Sequence, residues 1–252
     1  MEIPRELLVK LSKAQHVAVL TGAGVSAESG IKTFRDPDGL WAKFNPQELA
    51  SVDGFMSNPD LVWQWYHHRR EIINKAEPNP GHYAIARMER MFPEFTLITQ
   101  NVDRLHHRAG STRAFELHGN IIENHCQNCK EPFEGETALP EGQLAKCPEC
   151  GGMIRPSVVW FGEMLPFDAL SGSEEAAIAC DVFFTVGTSA EVYPAAFLPV
   201  QASQSGAYVV EVNPGETGFS RYADVCLRAP SGEALPKLLE EFEKFMNEED
   251  NK

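Results

Sequence analysis

Four of the six cysteines lie in two closely spaced pairs that have the spacing of zinc ligands. Cys126 and Cys129 form one C-x-x-C pair, Cys147 and Cys150 form the other, and 17 residues separate the pairs. Each pair supplies two thiolates, so the two pairs complete a tetrahedron around one Zn²⁺ ion. Because four cysteine ligands leave no position for water, the sequence predicts one structural zinc ion. Two disulfides or free thiols are the alternatives, and six cysteines are few for a disulfide scaffold of this length.

A glycine-rich turn near the start of the chain could bind phosphate. Residues 22–26 (GAGVS) follow an apolar run and lead into residues 27–30, which we predict to start a short helix. Glycines here permit a tight turn and let backbone N–H groups approach a diphosphate. The third glycine comes only at Gly30, which breaks the G-x-G-x-x-G spacing of dinucleotide-binding dehydrogenases. A plain hydride-transfer enzyme is therefore disfavoured, and a strand-to-helix turn without a ligand is the alternative.

Five short apolar runs predict the strands of a parallel sheet, because strands that are covered on both faces by helices are apolar throughout. Each run ends in turn-forming or polar residues, which include Gly22, Gln100, His118, Gly187 and Asn213. In an open α/β sheet the ligand crevice lies beyond the carboxyl ends of the strands, so we expect these positions to face one cleft. The runs are residues 16–21, 95–99, 114–117, 182–186 and 208–212.

Two further segments differ from this α/β pattern. Leu235, Leu238, Phe242 and Phe245 share one stripe of a predicted C-terminal helix, and we expect that stripe to pack against the core. Residues 120–157 are rich in Cys, Gly, Pro and Glu, and we interpret them as an insertion that needs the metal to hold a core.

The charge balance restricts the possible partners. The chain of 252 residues has 22 basic and 36 acidic side chains, and its formal net charge is -14. This charge disfavours nucleic acid and anionic membranes, so a nucleic-acid-binding zinc module is a distant alternative, and it favours a basic partner such as a lysine-containing peptide. Because the sequence has no long apolar run and no leader pattern, we expect a cytoplasmic protein, and we expect a monomer.

Several motifs follow one another along almost the whole chain. They are GAGVSAESGI (22–31), TFR (33–35), TQNVD (99–103), LHG (117–119), the cysteine tetrad, VWFGE (159–163) and GTS (187–189). In order and spacing these motifs resemble the sirtuin family, and in particular its class III subgroup of desuccinylases, demalonylases and deacetylases. Lys32 is a departure, since the family commonly has proline at this position.

The resemblance implies a Rossmann-like α/β domain joined to a small zinc-ribbon and helical domain. It assigns residues 1–30, 81–119 and 158–252 to the NAD-binding domain, 31–80 to a cofactor loop and helical part, and 120–157 to the zinc-binding part. It also implies that NAD is a co-substrate. The acyl carbonyl oxygen attacks the nicotinamide ribose, nicotinamide leaves, and free lysine and O-acyl-ADP-ribose are released from an acylated-lysine protein or peptide.

The resemblance also assigns roles to single residues. His118 is the expected general base and Asn101 the second catalytic residue, while Phe34 limits the access of water to the reactive carbon. His106 and His107 keep a structural interpretation. The expected cofactor-binding residues are Gly22, Ala23, Gly24, Ser26, Glu28, Thr33, Phe34, Arg35, Trp41, Gln100, Asn101, Val102, Asp103, Gly187, Thr188, Ser189, Asn213, Pro214, Gly215 and Ser231.

Tyr66 and Arg69 are three residues apart in a helical stretch and so share a face. They resemble the Tyr-x-x-Arg pair of the class III subgroup, in which the guanidinium binds the carboxylate of an acidic acyl chain and the phenol adds a hydrogen bond. A solvent-exposed basic patch at residues 67–70 is the alternative. Residues 158–163 resemble the family strand that pairs with substrate backbone. The expected substrate-binding residues are Tyr66, Arg69, Val158, Val159, Phe161 and Gly162.

Two other functions fit the same motifs. Mono-ADP-ribosyl transfer would use the same activated ribose, but the presence of His118 and of an acyl-lysine tunnel favours deacylation. A catalytically silent NAD or ADP-ribose sensor would be expected to lack His118 or Asn101, and both are present.

Overall fold

A parallel sheet forms the centre of the molecule. The computed structural model describes residues 1–33, 46–140 and 142–250. Its strands are β1 (His16–Thr21), β2 (Glu94–Thr99), β3 (Ala114–Glu116), β4 (Gly119–Cys126), β5 (Ile154–Val158), β6 (Val182–Val186), β7 (Tyr208–Val212) and β8 (Val225–Leu227). Within the described residues, six strands form one sheet in the order β3-β2-β1-β6-β7-β8, and all its pairs are parallel. This is the order of a Rossmann sheet, in which the crevice opens where strand addition reverses, between β1 and β6.

The strand predictions are confirmed with small changes of length. The runs at 16–21, 182–186 and 208–212 coincide with β1, β6 and β7, all of whose residues are buried. The run at 95–99 lies inside β2, and β3 ends one residue before the predicted end at 117. The edge strand β8 was not predicted, because three residues are too few for a periodic pattern.

Helices fill the connections between the strands. Two of them begin at an asparagine whose side chain caps the helix: Asn58 Oδ1 accepts the N–H of Leu61 over 3.2 Å, and Asn79 Oδ1 accepts the N–H of Gly81 over 2.9 Å. No helix in the described ranges is long and apolar enough to cross a membrane. The helices are α1 (Arg5–Lys13), α2 (Ala23–Ala27), α3 (Pro46–Leu49), α4 (Val52–Ser57), α5 (Pro59–Lys75), α6 (Pro80–Met88), α7 (Leu105–Arg108), α8 (Phe167–Ala179), α9 (Leu198–Gln204) and α10 (Ser231–Asp250).

The prediction for the glycine-rich turn is wrong in one respect. Helix α2 begins at Ala23 and ends at Ala27, so most of the predicted loop is itself helical. The reason is a close backbone contact: the N–H of Gly24 donates to the carbonyl of Gly187 over 2.8 Å. A Cβ on Gly24 would lie 2.7 Å from that carbonyl oxygen, and a Cβ on Gly22 would lie 2.7 Å from the Cβ of Thr188. Packing of the β1 turn against the β6 turn therefore requires these glycines.

Apolar clusters cover both faces of the sheet. Successive residues of β1 alternate between them, since Val17 and Val19 belong to one cluster and Ala18 and Leu20 to the other. Helix α10 lies over the first face. Its predicted stripe is confirmed, since Leu235, Leu238, Phe242 and Phe245 are all buried there.

A third apolar cluster joins the predicted insertion to helix α5. Strands β4 and β5 pair antiparallel, and their Ile121 and Ile154 pack in the same cluster as Trp63 of α5. Arg70 of α5 donates from Nε to the carbonyl of Ile121 over 2.7 Å and from a terminal nitrogen to Asn124 Oδ1 over 2.7 Å. Residues 120–157 thus share a core with the helical segment before them, while the predicted domain boundaries stay a prediction.

The four paired cysteines converge at the far end of the small sheet. Their Sγ atoms all lie within 4.8 Å of one another, and Cys126–Cys150 and Cys129–Cys147 are separated by 3.5 and 3.6 Å. A disulfide needs about 2.05 Å, whereas ligands about 2.3 Å from a tetrahedral zinc lie about 3.8 Å apart. The donor set and its spacing therefore fit one structural zinc ion.

We expect zinc removal to loosen β4, β5 and the loops between them. Replacing one ligand (Cys150→Ser) should raise amide hydrogen exchange across residues 120–157 much more than in β1 or β6, because the metal cross-links the two cysteine pairs. Cys226→Ser is the matched control, since this cysteine lies outside the cluster. Unchanged exchange in a Cys150→Ser sample shown by metal analysis to lack zinc would contradict a structural role.

Candidate active site

The carboxyl ends of the parallel strands bring the predicted polar residues together. The Gln100 side chain, after β2, donates from Nε2 to Thr188 Oγ1, after β6, over 3.0 Å. The Asn213 side chain, after β7, donates from Nδ2 to the carbonyl of Thr188 over 3.0 Å. Three strands thus meet at Thr188, as expected for a ligand crevice at the switch point of the sheet.

Asn101 is fixed against the glycine-rich turn. Its side chain is buried, and its Nδ2 donates to the carbonyl of Gly22 over 3.0 Å and lies 3.3 Å from Ser26 Oγ. Its backbone N–H donates to Thr99 Oγ1 over 3.0 Å. Because the amide nitrogen is occupied in this way, the Asn101 carbonyl oxygen has a defined direction.

Asp103 is held in the wall of the same crevice. Ser26 Oγ donates to Asp103 Oδ2 over 2.7 Å, and the N–H of Leu105 donates to Oδ1 over 2.9 Å. Burial raises the pKa of this carboxyl, while both hydrogen bonds and the positive charge of Arg69 act in the opposite direction. The carboxylate is therefore oriented before any ligand arrives.

The His118 ring is held in one tautomer by a backbone carbonyl. Its Nδ1 lies 3.0 Å from the carbonyl oxygen of Gln100. Since a carbonyl oxygen only accepts hydrogen bonds, Nδ1 carries the proton and Nε2 keeps a lone pair. Burial lowers the pKa of His118, and the bond to Gln100 partly opposes that shift. The next residue is Gly119, at φ +66, where a Cβ would lie 2.1 Å from the carbonyl oxygen of Ser157.

Two histidines behind the crevice had no functional prediction. His106 Nε2 lies 2.9 Å from Thr21 Oγ1, which donates to Thr99 Oγ1 over 2.8 Å. His82 lies with its ring centroid 4.9 Å from that of His106. Burial lowers the pKa of His106 to about 3 and that of His82 to about 4, so both rings are neutral at physiological pH. They are structural parts of the wall: His82 also accepts the backbone N–H of Asn79 at Nδ1 over 3.2 Å, whereas the hydroxyl partner of His106 is 85 positions away in the sequence.

The other predicted cofactor residues that the structure describes differ in burial and in contacts. Glu28 accepts hydrogen bonds from the N–H of Gly232 over 2.9 Å and from the hydroxyl of Ser231 over 3.2 Å. The predicted residues Glu28 and Ser231 therefore contact each other at the start of α10. Ala23, Thr33, Val102 and Ser189 are half-buried, whereas Pro214 and Gly215 are exposed. Phe34, Arg35 and Trp41 lie outside the described residues.

Tyr66 and Arg69 lie together on the buried face of α5, with 2% and 6% of their surface exposed. Tyr66 accepts a hydrogen bond of 2.7 Å from Trp160 Nε1. Burial raises the pKa of Tyr66 to about 12, and burial lowers the pKa of Arg69. The alternative interpretation of residues 67–70 as a solvent-exposed basic patch is therefore wrong for Arg69. His68 is exposed, as that interpretation required.

The segment predicted to pair with a peptide begins at the end of β5. Strand β5 ends at Val158, and Phe161 forms only an isolated bridge with Ser51. The strand stops because Glu163 accepts the backbone N–H of Trp160 over 2.8 Å and Gly162 adopts φ +87. Pairing of residues 158–163 with a substrate backbone stays a prediction.

Comparisons with known proteins agree with this geometry. The model of the Sir2 family matches residues 22–194. The NAD-dependent protein deacylase of Aquifex aeolicus is 53% identical over 88% of this chain and 93% of its own length, and that of Methylococcus capsulatus is 48% identical over 95% and 97%.

Solved structures give the same assignment. An ADP-ribose complex of a Sir2 homologue superposes with a TM-score of 0.92 at 44% identity, over 97% of this chain and 98% of the other. An NAD complex of a Sir2 homologue has a TM-score of 0.90 at 44% identity, over 96% and 95%. The chain therefore belongs to the Sir2 family of NAD-dependent protein deacylases.

Proposed function

We propose that the protein removes succinyl, malonyl and acetyl groups from lysine side chains of proteins, with NAD as co-substrate, and that it prefers the acidic acyl groups. The observation that carries the acyl preference is the buried pair Tyr66 and Arg69 on one face of α5. Removing the Arg69 guanidinium from water is costly, and the charge of the Asp103 carboxylate offsets part of that cost. The carboxylate of an acidic acyl chain could offset it further.

The strand-end residues would hold NAD across the sheet. Bound NAD supplies a ribose carbon that is attacked by the acyl oxygen as nicotinamide leaves. Asn101 and Asp103 would orient the nicotinamide ribose and carboxamide, Gln100 and Thr188 would bond a ribose, and Asn213 would bond the adenosine ribose. Hydrogen bonds to the backbone keep Asn101, Asp103 and Asn213 in place before NAD binds. These side chains therefore lose little conformational freedom on binding.

His118 would act as the base through Nε2. With Nδ1–H held by the carbonyl of Gln100, the lone pair of Nε2 can accept a proton from a ribose hydroxyl. Its lowered pKa keeps the ring neutral near pH 7, so the base does not have to lose a proton first. The mono-ADP-ribosyl transfer alternative needs no such base at a ribose hydroxyl.

The acyl pocket would discriminate by charge. Succinyl and malonyl chains end in a carboxylate, which could form charge-assisted hydrogen bonds with the guanidinium of Arg69 and a further one with the phenol of Tyr66. In a buried site such bonds are poorly screened by water. Acetyl-lysine has no terminal carboxylate, so it would fit the pocket without these bonds and react less efficiently.

The peptide would lie along Val158, Val159, Phe161 and Gly162. A related Sir2 structure with a TM-score of 0.85 and 34% identity, over 96% of this chain and 98% of the other, contains a p53 peptide and NAD⁺. In this chain the N–H of Val159 donates to the carbonyl of His118 and that of Phe161 to Ala50, so the peptide would pair with few main-chain groups. Selectivity for peptide sequence should accordingly be loose.

We predict that His118→Tyr abolishes turnover while the protein stays folded. A general base contributes about 10²- to 10⁴-fold, and tyrosine cannot accept a proton at neutral pH. The measurement is release of nicotinamide and free lysine, with circular dichroism as the folding control. Turnover within tenfold of the parent in a folded variant would remove His118 from the mechanism.

The pH dependence follows from the same histidine. Because burial depresses the pKa of His118, its neutral, active form persists as pH falls below the ordinary histidine value of 6.5. We therefore expect kcat/KM for acyl-lysine to stay level at pH 7 and to decline only below pH 6.5. NAD affinity measured over the same range separates this effect from binding. A decline centred above that value would count against a buried neutral base.

We predict that Arg69→Met lowers kcat/KM for succinyl-lysine by roughly 10- to 100-fold, since hydrogen bonds to charged groups contribute about 1.5–3 kcal/mol. Deacetylation should change by less than about threefold, because acetyl makes no contact that needs the cation. His68→Met is the matched control, since it changes an exposed side chain of the same helix. A parallel loss of both reactions would refute the carboxylate clamp.

A further inference from the structure

We propose that Trp160 is a positioning residue that determines acyl specificity: its indole N–H orients the Tyr66 phenol so that the phenol proton points at the carboxylate of an acidic acyl chain. This inference rests on the proposed acyl pocket and extends it to a residue that lies 94 positions from Tyr66 in the sequence.

The hydrogen bond between the two rings has only one possible direction. Trp160 Nε1 lies 2.7 Å from the Tyr66 oxygen, and both side chains are 2% exposed. An indole nitrogen can donate but cannot accept, so the phenol oxygen is the acceptor. The phenol proton must then lie away from the indole, and the phenol is left as a donor toward another group.

The indole itself is held on several sides. The guanidinium of Arg155 lies 3.3 Å from the centroid of the Trp160 ring, and the ring of Phe55 lies 5.2 Å away. Arg155 also donates to both carboxylate oxygens of Glu163, over 2.6 and 2.9 Å, and Glu163 accepts the backbone N–H of Trp160. Backbone and ring are therefore fixed together, which gives the indole N–H one orientation.

The same assembly reaches the zinc-binding segment. Arg155 donates to the side-chain oxygen Oε1 of Gln127 over 3.0 Å, and Gln127 lies between Cys126 and Cys129. It also donates to the backbone carbonyl of Val158 over 2.7 Å, at the end of β5. The position of the acyl pocket thus depends on the small sheet as well as on α5.

A donating phenol matters only when the acyl chain carries an acceptor. The phenol of Tyr66 stays protonated at physiological pH, because burial raises its pKa to about 12 although Trp160 and Arg155 act to lower it. A succinyl or malonyl carboxylate can accept its proton, whereas the methyl of an acetyl group cannot. Loss of the indole N–H should therefore change desuccinylation and leave deacetylation nearly unaffected.

The test is Trp160→Phe, which keeps a buried aromatic ring and removes the N–H. We expect kcat/KM for succinyl-lysine to fall about tenfold and that for acetyl-lysine to stay within about twofold, since one oriented hydrogen bond to a charged group is lost. Trp63→Phe is the matched control. Trp63 is also a buried indole of this cluster, but its N–H donates to the backbone carbonyl of Ile154, so the ratio of the two reactions should not change.

A double-substitution cycle separates this inference from the proposed function. In a Tyr66→Phe background, Trp160→Phe should have no further effect on desuccinylation, because the indole acts through the phenol. Independent, multiplying losses, or equal losses for both acyl groups, would overturn the role of Trp160. If Tyr66→Phe alone leaves desuccinylation unchanged, the acyl clamp itself is wrong.

Thermal melting of each variant shows whether it folds. Should Trp160→Phe melt much below Trp63→Phe, Glu163→Gln serves in its place, because it weakens the pairing with Arg155 while keeping the indole. The succinyl-to-acetyl ratio should then fall in the same direction, and an unchanged ratio would contradict the proposal.

Discussion

The backbone contact between the turns after β1 and β6 is the constraint on which the rest of the crevice depends. The N–H of Gly24 meets the carbonyl of Gly187 at 2.8 Å, and neither position has room for a side chain. Asn101 is bonded to the carbonyl of Gly22, and Gln100 is bonded to Thr188, so both are oriented by this contact. Glycine is needed here for packing between strands as well as for approach of a phosphate.

A second group of contacts carries the specificity. The proposed NAD-binding residues lie at the strand ends of the large sheet. The proposed acyl pocket is built instead from α5 and from the residues that follow β5. Trp160 is the link between them, because it follows Val159, whose N–H donates to the carbonyl of His118, and because its indole bonds Tyr66. Because different residues carry the two tasks, the acyl preference can change without altering the NAD-dependent step. Proteins with the same fold can therefore differ in specificity.

Local patterns predicted the fold better than the side-chain contacts. The strands at 16–21 and 182–186 were predicted because burial on both faces makes every residue apolar. The start of α2 was missed because glycine normally disfavours helix, and only a contact with a distant turn explains it. The hydrogen bond between Trp160 and Tyr66 could not be predicted, because the sequence around each residue does not indicate a partner 94 positions away.

We propose that the chain removes acidic acyl groups from lysine and consumes NAD in the reaction. The most direct test of this proposal is mass spectrometry of matched succinyl-lysine and acetyl-lysine peptides incubated with the purified protein, with and without NAD. We predict NAD-dependent loss of the succinyl group with release of nicotinamide, and slower loss of the acetyl group. Loss of acetyl alone would contradict the acyl preference, and turnover of neither peptide would contradict the deacylase account.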